Sequence, residues 1–458
     1  MNNLILGLVT LFIAVSAAPH LSAATPSPPS ELTLDQCLDL ALRQNPSVLK
    51  AKQGLQRSHG LIVEARAAFI PQLGASGRYS QVDKNAIDIP QIPTNMFPSI
   101  PGLTAVSGNQ EHPWAAQVEV SQLIYSGGRA SGNLRVARLN DQIVLLAFQQ
   151  TVADMILAVR KAFYQVLLNQ VQVNVREESA KLLAQQLEDA QHRFDAGEVP
   201  RFNVLRAGVE LANARPPLIR AQNDLRLSRE TLVKLLAIDT PGKRADFTPI
   251  NFVGELSYEH RAWDLPASLA KALEHRPELK QAEKQVTVSR ENIKVASSGY
   301  QPQISVFGNY GIHDSPFDNN LDNTVHGWTL GAQGSWAIFD GLLTRGRVIQ
   351  ARAQSEQAEL DYEDMRRGIE LEVRQAYSDY LQALQLIEAQ KKTVEQAEES
   401  LRLAEARFRA GTGTQLDVLS AQTALTEARS NEIQALYEYN VADASLERVT
   451  GSTVRVTP

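Results

Sequence analysis

The sequence predicts an elongated, mainly α-helical chain in which long coiled-coil hairpins alternate with amphipathic β-hairpins. Three observations lead there. His192–Arg215 and Ala406–Arg429 agree at 10 of 24 positions without a gap, always at one constant offset along the chain. Val373, Tyr380, Ile387, Val394, Leu401 and Phe408 recur every seven residues, as do Val159, Val166, Val173, Ala180, Leu187 and Phe194. Between the helical stretches, apolar and polar side chains alternate with period two over segments of about ten residues, the length and pattern of strands that cross a bilayer.

The N-terminus comes first in chain order. Leu4–Ala18 is apolar and is followed by the small residues Ser22, Ala23 and Ala24, which reads as a secretory signal peptide over residues 1–24. The first three residues carry no Lys or Arg, so an N-terminal anchor stays open as the alternative. Thr25–Ser30 has the composition of a short extended linker. No later stretch of 18 apolar residues stands out, and no further transmembrane helix is expected.

Internal repeats decide the organisation of the rest. Val159-Arg160 matches Val373-Arg374 and Trp114 matches Trp328, both at the offset that relates the two tip sequences. Upstream the offset is larger, pairing Pro46 with Pro277, Pro71 with Pro302 and Tyr79 with Tyr310. The change of offset falls in a proline-rich insertion over residues 86–103, which the second copy lacks and which is expected to form an external loop. Two structural repeats result, residues 31–238 and 264–451, joined by a non-periodic segment over 239–263.

Each repeat holds the same parts. A β-hairpin is expected over about residues 70–125 in the first copy and 302–339 in the second. Tyr79, Trp114, Tyr310 and Trp328 lie at or near the expected strand ends, where aromatic side chains form a girdle at the membrane interface. Alternation alone fits soluble hairpins with one face on a core equally well. A sustained seven-residue period predicts left-handed supercoiling, and Ala376, Ala383, Ala397 and Ala404 add a second seam of small side chains. Some 65 helical residues at 1.5 Å each span on the order of 100 Å. The helical hairpins turn at tips over about 195–203 and 409–417, where Gly197 and Gly411 end the first helix of each pair. Thr414 and Asp417 have the spacing of a capping box. Pro216 and Pro217 interrupt the returning helix of the first copy, where Ser430 and Asn431 stand in the second. A bend or break is expected there, because an interior proline removes a backbone hydrogen bond.

Four strands in one chain cannot close a membrane barrel, since open edges in lipid leave backbone groups unpaired. If the strands span a bilayer, copies must share a barrel: eight strands in a dimer, twelve in a trimer.

Composition excludes several function classes. Hydrophobic residues make up 43 % and charged residues 21 % of the 458 residues, an ordinary globular mixture. The net charge of −6 and the lack of a basic run argue against a nucleic-acid partner. Cys37 is the sole cysteine, so neither an intramolecular disulfide nor a cysteine metal cluster can form. No catalytic triad, phosphate loop or metal-ligand spacing is visible, and no catalytic, cofactor or metal residue is assigned. The reading is not an enzyme; the rival to a membrane duct is a soluble periplasmic coiled-coil scaffold or adaptor.

With Leu32–Ala51, the proline–glutamine pairs ahead of each hairpin and the doubled Arg-Phe-x-Ala-Gly turn on the page, the chain resembles the TolC-like outer-membrane efflux protein family over residues 31–451. The resemblance implies a homotrimer with a 12-stranded outer-membrane barrel continued by a helical cylinder in the periplasm. It implies docking partners, a periplasmic adaptor protein and an inner-membrane transporter, and an outer-membrane exit duct for efflux or type I secretion. Asp417 falls where relatives place a ring of carboxylates at the closed periplasmic mouth; Arg206 is a candidate to pair with it across the mouth, the alternative being a solvated surface arginine. Gly197, Gly411 and Thr412 are candidate adaptor contacts. A second acidic ring would fall on Ser420, which is not acidic, so cation selectivity does not carry over directly. Cys37 lies beyond the expected cleavage site in an apolar-periodic helix and reads as a core residue, not a lipid anchor.

Overall fold

The computed structural model describes residues 31–83, 112–238, 250–314 and 324–452. The signal peptide, the proline-rich insertion and the first part of the joining segment lie outside the described residues. In chain order the elements are β1 (Glu31–Leu32), α1 (Leu34–Gln44), α2 (Pro46–Arg66), β2 (Gln72–Tyr79), β3 (Trp114–Tyr125), α3 (Arg129–Asp195), α4 (Arg201–Leu235), β4 (Asn251–Phe252), α5 (Leu265–His275), α6 (Pro277–Ser297), β5 (Gln303–Asp314), β6 (Thr324–Ser335), α7 (Leu343–Arg409) and α8 (Gln415–Val449).

The heptad stretches become α3 and α7, each 67 residues long and so about 100 Å from end to end. They run through two stacked rows of helices. In the row nearer the strands, α2 packs on α3, α3 on α6 and α6 on α7. In the other row, α4 packs on α3, α3 on α8 and α8 on α7. The seam is tightest where the rows meet: Val159, Val166, Val373, Tyr380 and Ile387 are buried, whereas Val394, Leu401 and Phe408 toward the tip are only half-buried. Two apolar clusters occupy this level. One gathers Phe148, Val152, Val159 and Phe163 of α3 with Leu232 of α4 and Cys37 of α1; the other gathers Ile369, Val373 and Tyr380 of α7 with Tyr439 and Leu446 of α8. Cys37 is fully buried, and burial pushes its thiol up to about 12, consistent with a packing role.

Two sequence expectations are corrected here. α3 does contain a stretch long and apolar enough to cross a membrane. It is apolar because α3 is flanked by helices in both rows and packs Phe148, Val152, Met155 and Ile156 into the core, the pattern of a helix with neighbours on several sides. α4 is helical from Arg201 to Leu235 with Pro216 and Pro217 inside it, so the chain bends there at most and does not break; Leu211, Ala214 and Leu218 flanking them are half-buried.

Four strands form an antiparallel sheet in the order β2-β3-β5-β6. The short parallel pair β1–β4 and residues 253–264 strap the level where the rows meet. Trp263 Nε1 donates to Asp443 Oδ1 at 2.9 Å, Asn440 Nδ2 to the Ser257 carbonyl at 3.0 Å and Tyr380 OH to the Arg261 carbonyl at 2.5 Å.

The two repeats seal their helix junctions differently. Where α4 ends against α2, Asn45 Nδ2 donates to the Leu235 carbonyl at 2.7 Å, and its Oδ1 caps Ser47 N. Where α8 ends against α6, the buried Arg276 pairs with Glu278 at 2.9 Å and with Glu372, while Arg448 reaches Asp154 at 2.7 Å and Glu278 at 2.8 Å. Burial opposes the Glu278 charge, but the hydrogen bond and charge of Arg276 outweigh it and hold the carboxyl below the usual glutamate range. A carboxyl depressed in the folded state contributes stability in full above its unfolded pKa and loses it as pH falls toward the folded value. Glu278→Met is therefore expected to lower stability at neutral pH by about 3 kcal/mol. It should also flatten the loss of Tm on acidification below about pH 5, followed by circular dichroism melts of both proteins from neutral to acid pH.

Candidate functional site: a membrane-facing sheet and two helical tips

Cross-strand register fixes which side chains share a face. The pairs Leu73–Val120, Ala75–Val118, Gly77–Ala116 and Tyr79–Trp114 continue through Val118–Tyr310 and Val120–Gly308 into Tyr310–Trp328 and Gly308–Leu330. One face of the sheet is thus almost wholly apolar. The other carries Gln72, Ser76, Arg78, Gln117, Glu119, Ser305, Asn309, Thr329 and Gln333. Nothing among the described residues covers the apolar face: Leu73 is 73 % exposed, and Trp328 and Leu330 are each 76 % exposed. The outer edges of β2 and β6 have no strand partner among the described residues.

All four candidate interface aromatics lie on the apolar face, as two cross-strand pairs. Tyr79 and Trp114 end their strands as expected, but Tyr310 and Trp328 lie four residues inside theirs, about 13 Å along the strand. The reason is that pairing continues outward to Asp314–Thr324 and stops at Ser335 on the helix side. Trp336 leaves the sheet and donates from Nε1 to the Tyr300 carbonyl at 3.1 Å.

At the far end, both tips use the same helix stop. Gly197 (φ +77°) and Gly411 (φ +75°) take the left-handed conformation, which a residue with a Cβ adopts only with strain. Glu198 N bonds to the Arg193 carbonyl at 2.8 Å and Gly197 N to that of Phe194 at 2.9 Å; Thr412 N and Gly411 N repeat the pattern onto Arg407 and Phe408 at 2.9 and 3.1 Å. These paired bonds satisfy the last carbonyls of α3 and α7. A side-chain carbon at either glycine would meet open space, so backbone conformation, not crowding within the chain, requires them. Thr412 is exposed beside Gly411.

The returning helices start differently. Thr414 N and Oγ1 both donate to Asp417 Oδ2 at 2.8 Å, and Asp417 N donates back to Thr414 Oγ1 at 3.3 Å. This is a capping box at the start of α8. The backbone N–H of Thr414, then its hydroxyl, then the charge of Arg407 hold the Asp417 carboxyl below the usual aspartate range. α4 begins after Pro200, which makes no side-chain cap. Asp417 is exposed and Arg206 half-buried, and within one chain they form no ion pair.

The tips meet around a cavity of about 320 Å³ lined by Gln186, Arg193, Asn203, Glu405, Phe408 and Gln415 among others. The Arg193 guanidinium sits over the Phe408 ring at 5.0 Å from its centroid. Higher up, Arg429 of α8 bridges Glu178 of α3 at 3.6 Å and Glu398 of α7 at 3.0 Å. Sequence reasoning missed these links: in two of the three the partners belong to different repeats, and none carries a local pattern. Among the described residues no group of three or more His, Cys, Asp or Glu side chains converges to hold a metal ion.

A sequence profile described as outer membrane efflux protein matches residues 37–237 and 269–452. The chain is 24 % identical to the outer membrane protein TolC of Salmonella enteritidis over 434 residues, which is 92 % of this chain and 82 % of the relative. It is 24 % identical to the cobalt-zinc-cadmium resistance protein CzcC of Cupriavidus metallidurans over 456 residues, 97 % of this chain and 98 % of the relative. The CmeC outer membrane channel of Campylobacter jejuni superposes with a TM-score of 0.76 at 15 % identity, covering 91 % of this chain and 85 % of that one.

Replacing Thr414 by Ala removes the hydroxyl half of the capping box, leaving the Thr414 N–H bond to Asp417 Oδ2 available, and is expected to cost the first turn of α8 about 1 kcal/mol. Faster hydrogen exchange confined to residues 415–419, with the α4 start unchanged, would show it.

Proposed function

We propose that this chain, which belongs to the outer membrane efflux protein family, forms a trimeric duct that crosses the outer membrane and carries cargo from the periplasm to the outside. One observation carries the reading: a four-stranded sheet with a bare apolar face and two unpaired edges. Lipid can cover the face, but no lipid group can pair an exposed strand edge. The edges must meet those of other copies, β6 of one against β2 of the next.

The number of copies follows from what fills the interior. Eight-stranded barrels are packed with side chains or hold one small ligand. The polar face here is rich in small residues, among them Gly74, Ser76, Ser121, Ser305, Gly311, Gly327 and Gly331, which would leave such an interior void. Twelve strands from three copies enclose an open lumen that those residues line. The helical rows support the same closure. α4 and α7 are the two outer helices of one row, and along that row they carry exposed apolar residues such as Phe202, Leu205, Ile219, Leu381 and Leu403.

In this arrangement the tips form the periplasmic mouth. Asp417 from three copies, with its charge fixed by the capping box, lines the entrance, and Arg206 from a neighbouring copy offsets part of that charge. Like charges in a narrow opening raise the local concentration of cations. Gly197, Gly411 and Thr412 present side-chain-poor backbone to the coiled coil of a periplasmic adaptor, which links the duct to an inner-membrane transporter. Cargo selection belongs to that transporter; no cofactor takes part and the duct performs no chemistry.

Light scattering of the full-length protein in detergent, corrected for bound detergent, is expected to give three chains recovered from the outer membrane. A monomer released by osmotic shock in buffer would favour the soluble scaffold instead. Leu330→Arg on the apolar face is expected to destabilise the assembly by about 2–4 kcal/mol, while Thr329→Arg on the polar face leaves it intact; unfolding from lipid vesicles compares the two. Asp417→Ala is expected to weaken divalent-cation block in single-channel recordings, and an unchanged block would remove Asp417 from the entrance.

A further inference from the structure

Buried polar atoms without a partner are rare in folded chains, and two of the six such side-chain atoms among the described residues line one cavity. They are Oε1 of Gln186, on α3, and Oε1 of Gln415, at the start of α8. The cavity is the space of about 320 Å³ where the two helical tips meet. The Asp189 carboxylate, which follows Gln186 on the same face of α3, also lines it. Among the described residues Asp189 forms no hydrogen bond or ion pair. Ala190, Phe408 and Val418 supply an apolar wall.

The cations at this cavity are already engaged. The Arg193 guanidinium lies over the Phe408 ring, and Arg409 pairs with Glu405 at 3.2 Å. The unpartnered buried atoms and the unpaired charge are all acceptors: two neutral amide oxygens and one carboxylate. A buried acceptor that finds no donor lowers stability, and a ligand that brings donors relieves that cost on binding. The acceptors are not a by-product of the repeated turn. At the offset relating the copies, Gln186, Asp189 and Gln415 match Ser400, Leu403 and Arg201, none of which is an amide or a carboxylate.

We propose that this cavity is a binding site for a small organic cation with an apolar body: an amidinium, guanidinium or primary ammonium compound. Its N–H groups donate to Gln186 Oε1, Gln415 Oε1 and the Asp189 carboxylate, and its body lies against Ala190, Phe408 and Val418. A charge-assisted bond to Asp189 is stronger than one between neutral groups, which favours a cation over a neutral amide of the same shape. The site is complete within one chain, because α3, α7 and α8 supply every group named. It therefore stands apart from the duct reading, and its occupant bonds to both repeats at once.

Isothermal titration calorimetry of the full-length protein in detergent, with benzamidinium, benzamide and benzoate as probes of one shape, tests the assignment. Benzamidinium is expected to bind about tenfold more tightly than benzamide, and benzoate not to bind. Gln186→Leu and Gln415→Leu should each weaken benzamidinium about tenfold. Asp189 is exposed, so Asp189→Asn leaves folding intact and should bring benzamidinium down to the level of benzamide. Gln186→Glu keeps the acceptor and adds charge, so it should preserve or tighten binding. Circular dichroism verifies that each variant is folded. No heat from benzamidinium at up to about 10 mM would overturn the site, as would a preference for benzoate. Heat that the Leu variants and Asp189→Asn all leave unchanged would mark partitioning into detergent and overturn it equally. None of these readings needs a pore, so failure here leaves the duct reading standing, and failure of the duct leaves the site.

Discussion

A strand edge cannot end in lipid. Every backbone N–H and C=O in the hydrocarbon must be paired within protein, and the sheet of this chain has four strands, with β2 and β6 unpaired on their outer sides among the described residues. The apolar face that Leu73, Val118, Tyr310 and Leu330 build is meaningful only once that condition is met by further copies. The same unclosed geometry runs down the molecule, because among the described residues each row of helices below the sheet begins and ends with a helix that has a row neighbour on one side. Closure at the sheet therefore imposes closure on the cylinder: the strands lead directly into α3 and α7, and each copy's position in the barrel sets its position in the ring of helices.

Tight packing is concentrated between those two closures. The apolar clusters, the strap formed by residues 253–264 and the Arg276–Glu278–Arg448 network lie at one level, where four helix ends meet and two long helices pass through. Toward the tips the heptad seam thins to half-buried residues, and polar bridges such as Arg429 take over from core packing. Regions with few buried apolar contacts open at low free-energy cost. Burial is densest at the waist and thins toward the tips.

The duplicated halves have diverged at the helix junctions and at the starts of the returning helices. One junction is sealed by the neutral amide of Asn45, the other by a buried ionic network around Arg276. One returning helix starts on a capping box, the other on an uncapped proline. Both tips keep the glycine-terminated helix stop, because a left-handed residue is the condition for reversing the chain in so few residues. What the copies share is what the architecture requires; what differs lies in how firmly each hairpin is held.

Much of this was legible in the sequence. The heptads of Val373 to Phe408 and Val159 to Phe194 displayed two long supercoiled helices, because burying one stripe of a helix enforces a seven-residue period that needs no knowledge of the partner. Period-two alternation marked the strands, and the Thr414–Asp417 spacing marked the cap, for the same reason: each is a local pattern. The sequence could not show that Tyr310 and Trp328 lie inside their strands, since pairing of Asp314 with Thr324 extends the hairpin through residues with no apolar rhythm. Nor could it show that α3 owes apolar residues such as Phe148 and Val152 to packing in the core, or that α4 remains helical through Pro216 and Pro217. The contact of Arg193 with Phe408, the bridges of Arg429 and the Arg276 network join residues brought together only by the superposition of two repeats. The sequence by itself determined the periods, the turns and the duplication, which depend on neighbours along the chain; the tertiary structure decided strand limits, cross-hairpin contacts and free edges, which depend on which surfaces come to lie side by side.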